Sequence, residues 1–302
     1  MPRILRWIAI SLGSIVAVVI GIGLGLFALG KVKADELPEF TLQPPLIPSD
    51  RASIARGRHL AEAITLCTEC HQNGLRGRKL DLPPLVGTLV APNLTAGKGG
   101  VGGRYTAADW DRAVRHGIAK DGRKLVLMPS QYYARMTDSD FAALVSFLNS
   151  LTPVDNELPP STIGPIGNAL LGAGRFPFAA DVVDHAEVGQ NPVTPGVTEE
   201  YGSYLTTLAN CRGCHGPDLR GTTGLIGDLR GTTRLIGPLT APSLVDSTRS
   251  WSADEFRQTI RNGRMPSGRP LDPQKMPWPR LANLTDDELN AVFEYVRSIS
   301  AP

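Results

Sequence analysis

The chain has 302 residues, a formal net charge of +2 and a hydrophobic fraction of 42%. That length allows about two ordinary domains with additional segments, and the near-neutral charge excludes the strongly basic character of a nucleic-acid-binding protein. The 32 glycines and 25 prolines predict long ordered loops between few helices.

The first predicted element is an apolar helix at the N-terminus. Residues 7–30 carry no charge, and a helix of that length spans about 36 Å, enough to cross the hydrocarbon core of a bilayer. Arg3 and Arg6 precede it and favour a cytoplasmic N-terminus, although lysines also follow it. A cleaved signal peptide is the alternative, but its apolar region is usually shorter. We therefore expect residues 1–34 to be a retained membrane anchor.

A short motif then occurs twice. After a proline-containing tether over 35–50, a predicted helix at 52–66 leads into Cys67–His71, and a second helix at 198–209 leads into Cys211–His215. Both are C-x-x-C-H runs, and together they use all four cysteines. This pattern is typical of c-type haem, in which the thiols bind the haem vinyl groups and the histidine binds iron. A zinc site or a disulfide pair is the alternative, but zinc held by both cysteine pairs leaves the two histidines unexplained.

The sequence beyond the tether reads as two copies of one unit. After each haem run come a glycine-rich loop with an Ala-Pro-x-Leu element, a helix, a Met-Pro pair and a closing helix with apolar residues at helical spacing. Hydroxyl residues suited to cap the helices precede them: Thr106, Thr137, Ser252 and Thr285. The predicted fold is all-α, with two domains over 51–152 and 197–302 joined by a Pro- and Gly-rich linker over 153–196.

A low-spin haem that carries electrons needs a sixth ligand opposite the histidine, and methionine is a common choice that raises the reduction potential. The repeat selects Met128 and Met276, which occupy equivalent places and each precede a proline that disfavours helix at the methionine. Met136 matches Leu284, and Met265 has no methionine counterpart. We therefore expect the last two methionines to serve in packing.

The expected site comprises eight residues. The haem-binding residues are Cys67, Cys70, His71 and Met128 in the first unit and Cys211, Cys214, His215 and Met276 in the second. Of these, His71, Met128, His215 and Met276 are the expected iron ligands. The remaining histidines, His59, His116 and His185, are expected to be ordinary polar residues. A ten-residue tandem over 219–238 predicts a lengthened loop.

With these elements the chain resembles class I cytochromes c. The Ala-Pro-Asn-Leu-Thr element at 91–95, the Arg-His-Gly step at 115–117 and the Met-Pro pair at 128–129 are similar to those of the cytochrome c subunits of membrane-bound alcohol and aldehyde dehydrogenases. The resemblance covers roughly residues 50–152 and 197–300, although this chain has two haem runs and those subunits have three.

The resemblance implies an all-helical fold in which the first and last helices of each unit pack across each other. It also implies that the carbonyls of Pro92 and Pro242 accept the Nδ1–H of His71 and His215, which fixes the tautomer of each histidine.

The function expected from this sequence is electron transfer by a membrane-anchored protein with two covalently attached haem c groups. The haem domains should face the periplasm from the bacterial inner membrane, held by a single membrane-spanning helix. The expected partners are the lipid bilayer and a redox protein or a membrane dehydrogenase or oxidase complex, with no nucleic acid. The alternative is a di-haem oxidoreductase, such as a peroxidase, which needs one open iron. A haem-based gas sensor is a third class, but no signalling domain is visible.

Overall fold

A computed structural model describes residues 3–80, 82–175, 177–190, 192–224 and 239–299. The described part is mainly helical, as predicted. Its α-helices are α1 Arg3–Asp35, α2 Arg51–His59, α3 Cys67–His71, α4 Ala107–Val114, α5 Ser130–Tyr133, α6 Asp138–Asn149, α7 Pro165–Gly172, α8 Glu199–Leu208, α9 Cys211–His215, α10 Leu244–Ser247, α11 Ala253–Asn262, α12 Trp278–Leu281 and α13 Asp286–Ser298. Most of the tandem over 219–238, for which a lengthened loop was predicted, lies outside the described residues: the end of the first copy and all of the second.

Two small antiparallel sheets accompany the helices. The first has the order β1-β2-β3, and the second pairs β4 with β5. Their bounds are β1 Arg78–Leu80, β2 Gly87–Ala91, β3 Thr162–Ile163, β4 Thr222–Gly224 and β5 Leu239–Ala241. These strands lie in the glycine-rich loops after the haem runs and, for β3, in the predicted linker. They are minor additions to an all-α architecture and were not predicted from the sequence.

The first and last helices of each unit cross at a glycine. A Cβ built on Gly57 of α2 would lie 1.9 Å from the carbonyl oxygen of Ala143 in α6. In the second unit, a Cβ on Gly202 of α8 would lie 1.9 Å from the carbonyl oxygen of Ala291 in α13. The two crossings are therefore equivalent, and each brings the backbones too close for any side chain.

The helix caps follow the sequence closely, with one departure. Thr285 accepts from the backbone N–H of Glu288, and the Glu288 carboxylate accepts from the backbone N–H of Thr285, which completes a capping box. Thr137 likewise accepts from the N–H of Asp140, but the Thr137 N–H donates to the hydroxyl of Tyr204 in the other unit. The first closing helix therefore has half a capping box, and its Asp140 carboxylate turns toward the second unit.

The region predicted as a linker is ordered against the first unit. Helix α7 packs along the C-terminal turns of α1, and Phe40 of the tether stacks on His116 and His185 at ring-centroid distances of 4.1 and 4.5 Å. Lys124, which is buried, donates to the carbonyl oxygen of Lys33 at 2.9 Å and also binds Asp181. Helix α1, the first unit and the linker are thus joined by direct contacts.

Candidate functional site

Each C-x-x-C-H run forms one short helix between two unusual backbone conformations. Leu66 and Asn210, which precede the runs, are left-handed with φ of 54° and 56°. Gln72 and Gly216, which follow them, have φ of 63° and 88° with extended ψ. Asparagine and glycine tolerate positive φ, but leucine and glutamine adopt it only where the surrounding structure imposes it. The matched geometry therefore marks both runs as sites whose backbone path is fixed.

The histidine of each run is buried and held by one hydrogen bond. His71 is 7% exposed and donates from Nδ1 to the Pro92 carbonyl at 2.7 Å, while His215 is 8% exposed and donates from Nδ1 to the Pro242 carbonyl at 2.8 Å. A carbonyl can only accept, so each Nδ1 carries the proton and each Nε2 keeps its lone pair. Both contacts implied by the family resemblance are present. The arrangement leaves one nitrogen per histidine able to bind a metal.

The four cysteines form no disulfide bond and lie in a setting of low polarity. Burial raises the pKa of the Cys67 thiol to about 11 and that of the Cys211 thiol to about 12. Reactive or redox-active cysteines have a lowered pKa, so this setting argues against a catalytic thiol pair. Within the described residues no group of three or more His, Cys, Asp or Glu side chains is placed to hold a metal ion, which argues against the zinc alternative.

The two Met-Pro loops occupy equivalent places. Met128 and Met276 are both half-buried and pack against the hydrophobic core. Each carbonyl accepts from the backbone N–H two residues later, at 2.9 Å from Ser130 and 2.7 Å from Trp278. This shared turn starts helix α5 in one unit and α12 in the other. Met136 is fully buried in the core, and Leu284 is buried at the matching position.

The structure contains buried polar groups that fit a bound haem. Within the described residues, Trp110 Nε1 and Thr68 Oγ1 are buried and have no hydrogen-bond partner. Such atoms normally have a protein, water or ligand partner. Thr68 lies inside the first haem run, and Trp110 lies on α4, the helix that leads toward the Met-Pro loop. Together with the oriented His71 and the half-buried Met128, they are consistent with a haem in the first unit. His215 and Met276 repeat the histidine and methionine part of this arrangement in the second unit.

A polar cluster that was not predicted from the sequence joins the two units. Arg56 of α2 binds Asp140 of its own unit through two nitrogens at 2.8 and 2.9 Å and reaches Glu288 of the other unit at 3.2 Å. His59 contacts Glu288 at 2.7 Å, and Tyr204 donates to Asp140 at 2.7 Å. His59 was expected to be an ordinary polar residue, and in the structure it is an inter-unit contact.

The cluster has approximate twofold symmetry. The crossing glycines align Arg56 with Tyr201 and His59 with Tyr204, and the closing helices align Asp140 with Glu288. Asp140 therefore has Arg56 from its own unit and Tyr204 from the other, and Glu288 has the equivalent Tyr201 and His59. The contact of Arg56 with Glu288 has no counterpart in this symmetry. Burial opposes ionisation of Glu288, but hydrogen bonds from His59 and the Thr285 backbone outweigh it and lower its pKa to about 2. Individual sequence positions gave no sign of this cluster, because it depends on the relative placement of the two units.

A second inter-unit contact lies beside the first haem run. Arg280, four residues after Met276, donates from Nε to Glu69 at 3.1 Å and from Nη2 to Asn73 at 2.8 Å. Glu69 is one of the two residues between Cys67 and Cys70. The Met-Pro loop of the second unit is thus tied to the haem-attachment helix of the first.

Comparison with known proteins agrees with this geometry. The family described as cytochrome c matches residues 54–152, and the family described as cytochrome c oxidase, cbb3-type, subunit III matches residues 204–296. Each match covers one unit and its C-x-x-C-H run. The chain therefore contains a cytochrome c domain in each unit, and the two domains indicate two c-type haems.

Similar curated proteins are cytochrome subunits of dehydrogenases. The cytochrome subunit of fructose dehydrogenase from Gluconobacter japonicus is 29% identical over 86% of this chain and 55% of its own length. The cytochrome c subunit of alcohol dehydrogenase (quinone) from Gluconacetobacter polyoxogenes is 28% identical over 83% and 57%. The cytochrome c subunit of gluconate 2-dehydrogenase from Pantoea cypripedii is 30% identical over 86% and 63%. The chain spans a little over half the length of these relatives.

Proposed function

We propose that this chain is an electron carrier in which each unit holds one haem between a histidine and a methionine. Cys67 and Cys70 would bind the first haem covalently, with His71 and Met128 as iron ligands, and Cys211, Cys214, His215 and Met276 would do the same in the second unit. The haem iron supplies one-electron chemistry by cycling between ferric and ferrous states. The observation that carries the proposal is the matched pair of histidines, each held through Nδ1 so that Nε2 is available.

The protein's own residues would hold the two haems in a fixed relation. The partly buried cluster of Arg56, Asp140 and Glu288 and the Arg280 contact with Glu69 join the units at two places. Charges in such a cluster lose much of their interaction if one unit rotates, so they favour a single arrangement. A fixed arrangement lets an electron pass from one haem to the other without a search for the docking geometry.

The proposed partner is a membrane-bound dehydrogenase that feeds electrons into one of the units. Support comes from the relatives, which are cytochrome subunits of fructose, alcohol and gluconate dehydrogenases. Helix α1 is apolar and long enough to cross a bilayer, and we propose that it anchors the protein in the inner membrane. The haem units would then face the periplasm, where c-type haem is attached in bacteria.

Carbon monoxide binding separates a carrier from an enzyme with one open iron. The full-length, haem-loaded protein, reduced with dithionite, should take up two electrons per chain and form no carbon monoxide complex with either haem. A complex involving half of the haem would favour the peroxidase alternative. Mass spectrometry of complexes released intact from detergent-treated membranes would identify the partner, and the absence of any dehydrogenase subunit would count against the proposed assembly.

A further inference from the structure

Helix α7 of the linker lies directly against the membrane helix. A Cβ on Gly30 of α1 would lie 1.9 Å from the carbonyl oxygen of Asn168, and a Cβ on Gly172 of α7 would lie 1.9 Å from that of Leu26. The later residue in α1, Gly30, meets the earlier residue in α7, Asn168, and the earlier residue in α1, Leu26, meets the later residue in α7, Gly172. The two helices are therefore antiparallel. The C-terminal end of α7 therefore points back along α1, toward its apolar segment.

This geometry places the end of α7 at the edge of the bilayer. Leu26 precedes the first charged residue, Lys31, by five positions, which is about 7.5 Å along a helix. The uncharged part of α1 is about 36 Å long against a hydrocarbon core of about 30 Å. The level of Leu26, and with it Gly172, falls close to the boundary between acyl chains and headgroups.

We infer that residues 165–175, here called the α7 segment, form a second membrane contact that inserts at this boundary of a phospholipid bilayer. The inference rests on the proposed insertion of α1. The sequence is suited to it, because residues 158–174 contain no charge. The one amide side chain in α7, Asn168, is buried, and its Nδ2 donates to the carbonyls of Ile163 and Gly164, so its N–H groups are paired within the protein.

The exposed residues of this region are those that a lipid surface accepts. Ile166 is 45% exposed, and Leu85, whose carbonyl accepts from the Ile166 N–H at 3.0 Å, is 59% exposed. Ala173 and Gly174 are exposed at the deeper end, and the exposed Arg175 that follows can extend to lipid phosphates. The exposed surface is apolar apart from Arg175, and a combination of apolar and basic residues is found in interfacial membrane segments.

The contact of the α7 segment with lipid would also fix the distance of the first haem unit from the membrane surface. Lys33 Nζ donates to the Gly172 carbonyl at 3.3 Å, and the buried Lys124 Nζ donates to the Lys33 carbonyl at 2.9 Å. Lys124 belongs to the segment that leads to Met128. A membrane-bound α7 segment therefore holds this part of the first unit close to the lipid surface, instead of leaving it on a free tether.

Spin labelling of the full-length, haem-loaded protein in phosphatidylethanolamine/phosphatidylglycerol nanodiscs tests the inference. The native cysteines are consumed by haem attachment, so one introduced cysteine is the only thiol. The variants are Ala173→Cys for the α7 segment, Leu85→Cys for its upper edge, Ser14→Cys inside α1 and Ser267→Cys on an exposed loop of the second unit. Collision of the nitroxide with oxygen and with a water-soluble nickel complex reports its depth.

The expected order of depth is Ser14, then Ala173, then Leu85, with Ser267 in water. At Ala173 the ratio of oxygen to nickel collisions should exceed that at Ser267. A label at Ala173 as open to nickel as one at Ser267, while Ser14 lies in lipid, would overturn the inference and leave the anchor intact. Labels at Ser14 and Ala173 that are both aqueous would refute the anchor as well. Shielding of Ala173 from both reagents would show that protein covers the α7 segment, which also overturns the lipid contact.

Discussion

The glycine at each helix crossing gives the sharpest stability prediction. Replacing a glycine inside a helix with alanine normally raises the free energy of unfolding by about 1 kcal/mol. At Gly202, however, the new Cβ would lie 1.9 Å from the Ala291 carbonyl oxygen and 2.7 Å from the Tyr295 Cβ. An ordinary contact begins near 3.4 Å, so α8 and α13 must separate by about 1.5 Å. Overpacking of this kind costs about 1–3 kcal/mol or more of the free energy of unfolding. Because the backbone of α13 cannot move aside as a side chain can, we expect Gly202→Ala to lower the free energy of unfolding by at least about 2 kcal/mol.

For a unit of this size, that loss lowers the unfolding midpoint by about 10 °C. The assay is thermal unfolding of the haem-loaded, full-length protein in detergent, followed by far-ultraviolet circular dichroism. Gly57→Ala should behave alike in the first unit, because its Cβ would lie 1.9 Å from the Ala143 carbonyl oxygen. Gly196→Ala is the control, since its nearest neighbour is Thr198 Cγ2 at 3.8 Å. A Gly202→Ala protein that unfolds at or above the wild-type temperature would refute the crossing.

Three further predictions concern strain, acid and salt. Gln72 has φ of 63°, so Gln72→Gly should raise the free energy of unfolding in guanidinium by about 1 kcal/mol. Gly216→Gln should lower it by a similar amount. Equal stability of the two variants would contradict backbone strain at these positions. The ordinary pKa of a glutamate is 4.5, and the pKa of Glu288 in the folded protein is about 2. The stability that the Glu288 carboxylate contributes should therefore be lost as the pH falls from 4.5 to 2. The Glu288→Gln variant should lose less free energy of unfolding over this range than the wild type, and equal losses in the two proteins would exclude a role for this carboxylate. Residues 51–152 hold 14 basic and eight acidic side chains, so electron transfer from a copurified dehydrogenase should slow as salt rises; a stopped-flow rate independent of salt would argue against electrostatic docking.

Much of the fold could be predicted because the signals are local and repeated. The C-x-x-C-H runs, the hydroxyl caps at Thr106 and Thr285 and the apolar spacing of the closing helices each depend on a few neighbouring residues. The internal repeat then supplied the pairing of Met128 with Met276, which no single unit could provide. The structure places both methionines against the core at matching turns.

What could not be predicted depends on contacts between distant segments. The inter-unit cluster unites Arg56 with Asp140, 84 positions later in the chain, and with Glu288, 232 positions later. The half-formed capping box at Thr137 has the same origin, because Asp140 serves the cluster instead of the cap. The proline-rich composition of the linker likewise concealed α7, whose position comes from glycine-mediated packing on α1.

The central claim is that the methionine of the Met-Pro pair in each unit is the sixth ligand of that unit's haem iron. The ferric methionine–iron charge-transfer band at the red end of the spectrum reports that bond directly. In the purified, fully haem-loaded protein, Met128→Ala and Met276→Ala should each lower the band by about half, given one such bond per haem, and the double variant should lack it. Met265→Ala and Met136→Leu, at positions without a matched Met-Pro loop, should retain it. If the band survives in Met276→Ala and is lost in Met265→Ala, the alignment of the two units through these loops is wrong.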